Sequence, residues 1–122
     1  MRIVLEGWKR QGVVGVKMVS SHLGDPTRED TRIGPLISPG ELQRVHDWVQ
    51  QAVRDGAELV GGGEPVSERC YPATVLLNPA PESMVSCREV FGPVICVYGC
   101  DDLQEAVRRA NDVPYAFQSA VY

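Results

Sequence analysis

Apolar residues in the first twenty positions (Ile3, Val4, Leu5, Trp8, Val13, Val14, Val16, Met18 and Val19) recur at spacings of three and four. That period predicts a helix over residues 1–20. It is weakened by Gly7, Gly12 and Gly15, each costing about 1 kcal/mol relative to alanine inside a helix. Gly24-Asp25-Pro26 ends it, because proline disfavours helical geometry at the residue before it. Residues 24–37 read as a loop punctuated by Thr31, Gly34 and Pro35.

Ser38-Pro39-Gly40-Glu41 marks a helix start: Ser38 caps, Pro39 suits the first helical position, and Glu41 completes a capping box. Leu42, Val45, Trp48, Val49, Ala52 and Val53 share one face, with Gln43, Arg44, Asp47, Gln50, Gln51 and Arg54 opposite. Gly56 is the stop. Residues 58–60 predict a short strand, followed by a turn at Gly61-Gly62-Gly63. A triple glycine also suits a phosphate cradle, but no Lys-Ser/Thr pair follows it, so a plain turn is expected. Residues 71–77 and 94–98 predict strands, joined by a longer connection over 78–92. Asp101 is expected to cap a helix near 102–110 that buries Leu103, Ala106, Val107 and Ala110. Asn111 and Pro114 stop that helix, and residues 118–122 read as a last strand.

Helices alternating with short apolar strands predict an α/β fold, a three-layer-like partial sheet with flanking helices. A chain stopping on an apolar, β-prone strand with no polar tail reads as cut.

Composition narrows the function. Of 122 residues, 43% are hydrophobic and 23% charged, which is globular; the net charge of −4 and the absence of a basic stripe argue against nucleic acid. No apolar run approaches the ~20 residues that span a bilayer, and charges at Glu6, Lys9 and Arg10 interrupt any signal-peptide core. The expected location is cytoplasmic, with no membrane partner. Cys70, Cys87, Cys96 and Cys100 are too few and too irregular for a disulfide framework or a metal site. They are expected to be reduced thiols, with Cys96 a small core residue. His46 stands alone beside the helical stripe and is expected at the surface or an edge.

The candidate chemistry lies in Arg88-Glu89-Val90-Phe91-Gly92-Pro93-Val94. Residues i and i+2 of an extended chain point to the same side, so Glu89 and Phe91 can face one ligand together. A carboxylate accepts two hydrogen bonds from a vicinal diol, and a phenyl ring packs on the apolar face of a sugar. Those are tools for gripping a ribose. The plainer alternative makes Glu89 a solvated charge and Phe91 a core anchor.

Several separated pieces resemble one family, the NAD(P)-dependent aldehyde dehydrogenases. They are Gly24-Asp25-Pro26 with Thr31-Arg32-Ile33-Gly34-Pro35-Leu36-Ile37, then Arg44-Val45-His46 through Ala52 and Gly56-Ala57 with Gly61-Gly62-Gly63, Tyr71-Pro72-Ala73-Thr74-Val75-Leu76, Glu89-Val90-Phe91-Gly92-Pro93-Val94, and Glu105-Ala106 with Ala110-Asn111 and Tyr115. The likeness runs through residues 24–122, as part of a catalytic domain, and leaves 1–23 as a poorly matching helical segment. The resemblance implies an enzyme in which a cysteine thiolate attacks an aldehyde, hydride passes to the nicotinamide, and a glutamate base activates water. It implies that Glu89 holds the nicotinamide ribose hydroxyls and that Phe91 packs against the same part of the cofactor.

The departures shape the expected function. None of the four cysteines stands in a Gly-Gln-x-Cys nucleophile motif, and no glycine fingerprint of a dinucleotide-binding domain is present. Ala116-Phe117 replaces the family's Gly-Leu after Tyr115. The chain is therefore expected to be a truncated relative that neither turns over nor holds NAD or NADP alone. Two alternatives are a non-catalytic, homo-oligomerising interaction module and one half of a split enzyme completed by a partner chain.

Overall fold

The computed structural model describes the backbone of residues 2–6 and the whole of residues 22–115. Its strands are β1 (Arg2–Glu6), β2 (Glu58–Gly61), β3 (Thr74–Leu77) and β4 (Val94–Cys100); its helices are α1 (Pro39–Arg54), α2 (Met84–Cys87) and α3 (Leu103–Asn111). The strands form one sheet in the order β1-β4-β3-β2. β4 lies parallel to both β1 and β3, and β2 pairs antiparallel on the outside of β3. The fold is mixed α/β.

Burial along β4 alternates, with Val94, Cys96 and Tyr98 inward, as a strand with one face on a helix requires. Those residues and Leu76 of β3 join Leu42, Val45, Val49 and Ala52 of α1 and Val85 of α2 in one apolar cluster. Ala106 of α3 is buried outside that cluster, where α3 packs on β1 and β4.

α1 forms where its start signals place it. Ser38 Oγ accepts a hydrogen bond from the Glu41 amide at 3.2 Å, Pro39 occupies the first turn, and Gly56 beyond the end has a φ of +103°. Only half of the expected capping box is made, because the Glu41 carboxylate turns to Arg44 instead. The glycine turn is structural. A Cβ on Gly62 would lie 2.4 Å from the Ala73 carbonyl oxygen, and the Gly63 amide donates to Thr74 Oγ1 at 3.0 Å. The Gly63 carbonyl accepts from the buried Tyr71 hydroxyl at 2.9 Å and from Gln50 Nε2 at 3.2 Å. His46 is half-buried with Nδ1 3.3 Å from the same hydroxyl, an edge position as expected.

Four expectations change. Residues 2–6 are a strand, not the start of a helix: pairing with β4 from Arg2 opposite Cys96 to Glu6 opposite Cys100 overrides the helical spacing. The rest of that segment, residues 7–21, lies outside the described residues, as do the strand expected at 118–122 and the Ala116-Phe117 departure. The connection over 78–92 contains α2. The cap of α3 is Asp102, which accepts from the Glu105 amide at 2.7 Å, rather than Asp101. The expected buried face of α3 is reduced to Ala106: Leu103 is 49% and Val107 50% exposed, and Ala110 is exposed too.

Candidate cofactor-ribose site

The chain leaves α2 at Cys87, turns through residues 88–93, and enters the sheet at Val94. Val90 is buried, whereas Glu89 and Phe91 on either side of it are exposed. The i, i+2 alternation expected of this stretch therefore exists, and it turns both side chains outward. Phe91 is 77% exposed, so the core-anchor alternative fails. Among the described residues the Glu89 carboxylate has no hydrogen-bond or ion-pair partner, leaving its oxygens available to a ligand.

The stretch is not fully extended. Phe91 has a φ of +49°, a left-handed conformation costing an L-residue roughly 1–2 kcal/mol. Its two neighbours are pinned to α1. The Arg44 guanidinium donates through Nη2 to the Val90 carbonyl at 2.7 Å. On the other side, Gly92 packs so closely on α1 that a Cβ there would lie 3.1 Å from Val45 Cγ2. Charge-assisted hydrogen bonds contribute about 1.5–3 kcal/mol, enough to offset the cost at Phe91. After the turn, the Val94 amide donates to the Gly92 carbonyl and the Thr74 amide to the Pro93 carbonyl, each at 2.8 Å.

Arg44 is itself fixed. Nε and Nη2 donate to Glu41 Oε2 at 2.9 and 2.7 Å, and the guanidinium carbon lies 4.3 Å from the centroid of the Trp48 ring. Read from its sequence, Arg44 belongs to the polar face of α1. The signal that it does more is the i, i+3 and i, i+4 placement of an acid and an aromatic about it. On the approach to Glu89, exposed Arg88 donates to the Tyr115 hydroxyl at 3.4 Å, which raises the guanidinium pKa further above its ordinary value.

An accessible carboxylate and an accessible phenyl ring on either side of a clamped carbonyl can bind a diol-bearing ring. They supply no nucleophile. Cys96 is buried with its thiol toward the Val85 carbonyl, and the Cys87 thiol lies toward the Glu82 carbonyl. Among the described residues no cluster of three or more His, Cys, Asp or Glu residues is arranged to hold a metal ion. No described helix is long and apolar enough to cross a membrane.

Residues 13–122 match the model of the aldehyde dehydrogenase family. A lactaldehyde dehydrogenase of Escherichia coli K12 is 38% identical over 112 residues, covering 89% of this chain and 23% of that protein. The crystal structure of lactaldehyde dehydrogenase from Escherichia coli superposes with a TM-score of 0.71 at 40% identity, over 76% of this chain and 20% of the other. An NAD-dependent aldehyde dehydrogenase from Sinorhizobium meliloti gives 0.71 at 34% identity, over 76% and 19%. The chain thus spans about a fifth to a quarter of the length of the relatives it matches. With the family's Glu-x-Phe-Gly-Pro-Val turn built as described and the match running through most of its length, this chain belongs to the aldehyde dehydrogenase family.

Proposed function

We propose that this chain carries the nicotinamide-ribose grip of an NAD(P)-dependent aldehyde dehydrogenase and oxidises no aldehyde by itself. The observation that carries this reading is the paired outward presentation of Glu89 and Phe91 on a turn pinned to α1. The Glu89 carboxylate accepts hydrogen bonds from the two ribose hydroxyls, and the Phe91 ring packs on the same part of the cofactor. When bound, the cofactor accepts hydride from the substrate. Oxidation of an aldehyde to an acid further requires a cysteine nucleophile, which none of Cys70, Cys87, Cys96 and Cys100 supplies in the family's motif. We assign that step to this segment assembled with a nucleophile-bearing part of the fold, on the same polypeptide or on a partner chain. Four cysteines too few and too irregularly spaced for a disulfide framework favour a reducing, cytoplasmic setting.

Magnitudes set what the 122-residue chain does alone. Two charge-assisted hydrogen bonds of about 1.5–3 kcal/mol each fall short of the ~8 kcal/mol of micromolar binding, and come nearer the ~4 kcal/mol of millimolar binding. The test is an NMR titration of the labelled chain with NAD and NADP to millimolar concentration. Calorimetry at micromolar concentration and an aldehyde oxidation assay use the same sample. Shifts confined to residues 88–93 and lost in Glu89→Ala are expected, without saturable heat or turnover. Shifts elsewhere, or none, overturn the ribose grip; turnover overturns the claim of inactivity.

A second reading, a homo-oligomerising module, is favoured by the half-exposed Leu103 and Val107 on α3, an i, i+4 apolar pair on one helix face. Light scattering tests it. A concentration-dependent dimer that Val107→Lys dissociates is expected, and a monomer at every concentration rules it out.

A further inference from the structure

We propose that Arg44 is a positioning residue for the cofactor grip: by holding the Val90 carbonyl it sets the outward attitude of Glu89 and Phe91. This rests on the ribose reading above and adds to it the group that makes the turn hold its shape.

Three observations carry it. The contact reaches across 46 residues of sequence, from the helix to the turn, so it is no by-product of helical neighbours. The guanidinium is immobilised before it meets the turn, by the Glu41 carboxylate one turn earlier and the Trp48 ring one turn later. Nε and Nη2 hold the Glu41 carboxylate together while Nη2 also donates to Val90, so the rigid plane of the guanidinium fork fixes the direction of the second bond, which the single rotating ammonium of a lysine does not. Finally, residues 44 and 45 of α1 meet residues 90 and 92 of the turn in succession. The residue left between the two attachments, Phe91, is the one held at positive φ and turned outward. Releasing the first attachment frees Phe91 to leave positive φ, which re-aims its ring relative to Glu89 and loosens the geometry in which the two are held.

An exposed ion pair on a helix is ordinarily worth little, so the rival account is that Arg44 only decorates α1. The test uses Arg44→Met, which keeps an apolar stem on Trp48 but has no donor, and Arg44→Lys, which keeps the charge. Backbone couplings report the sign of the Phe91 φ, the Cα shifts of residues 39–54 report whether α1 is intact, and the NAD-induced shifts at 88–93 report the grip. With α1 intact in both variants, Phe91 is expected to leave the left-handed region and the response to NAD to weaken roughly tenfold. Retention of positive φ, or an unchanged NAD response after φ has changed, overturns the proposal. An Arg44→Lys chain identical to the wild type overturns the role of the fork. Should the wild-type chain give no NAD response at all, the ribose reading falls, while the Phe91 φ in the variants still decides whether Arg44 sets the turn.

Discussion

Gly92 and Val45 stand so close that a Cβ on the glycine would lie 3.1 Å from Cγ2 and 3.3 Å from Cγ1 of the valine. Val45 is fully buried in the middle of α1 and cannot retreat. Gly92→Ala is therefore expected to destabilise the chain by about 1–3 kcal/mol through overpacking. In Gly92→Ala/Val45→Ala the two effects should not add, with a coupling of at least ~0.5 kcal/mol. Urea denaturation of the four chains measures this, and strict additivity would show that the turn does not rest on Val45.

Phe91→Gly removes the cost of positive φ and sacrifices little buried surface, since the ring is mostly exposed. A gain in stability of up to about 1 kcal/mol is expected, together with loss of the NAD-induced shifts. A less stable Phe91→Gly chain would mean that the ring contributes packing to the folded state.

Burial raises the Tyr71 hydroxyl to about 12, with the Glu64 carboxylate adding to the effect. The fold favours the neutral phenol, so its contribution is complete below the ordinary value of roughly 10. It is lost as the pH rises through the folded-state value. On the order of 2 kcal/mol should disappear between those limits. Tyr71→Phe should flatten this alkaline loss while costing about 1 kcal/mol at neutral pH, because the Gly63 carbonyl loses one donor and keeps Gln50. Denaturation curves at a series of alkaline pH values separate the two effects.

Asp102→Ala should cost about 1 kcal/mol, the usual worth of an N-cap, because its carboxylate takes the Glu105 amide. The helical Cα shifts of residues 103–106 should fall in parallel. An unchanged first turn would return the cap to Asp101.

Much of the fold was legible as local chemistry. Ser38-Pro39 and Gly56 bound α1 because caps and stops act within one turn of the backbone. The short apolar run of residues 94–98 marks β4 because so brief a stretch after Gly92-Pro93 suits a buried strand. A two-residue period exposes Glu89 and Phe91 around the buried Val90.

Tertiary structure decided the rest, wherever a distant partner outweighed local preference. The spacing of apolar residues from Ile3 to Val19 suits a helix, yet residues 2–6 form a strand because β4 offers a parallel edge that no local pattern encodes. Leu103 and Val107 carry the helical stripe of a buried face, but the packing of α3 closes only over Ala106. Arg44 belongs to a polar helix face by sequence and to the Val90 carbonyl by structure, and the positive φ of Phe91 exists between attachments made by α1. The sequence by itself determined that a carboxylate and a phenyl ring stand on either side of Val90. Only the packing of α1 against the turn decided how they are held, because a contact between residues 44 and 90 has its energy in the folded chain and leaves no period in the sequence.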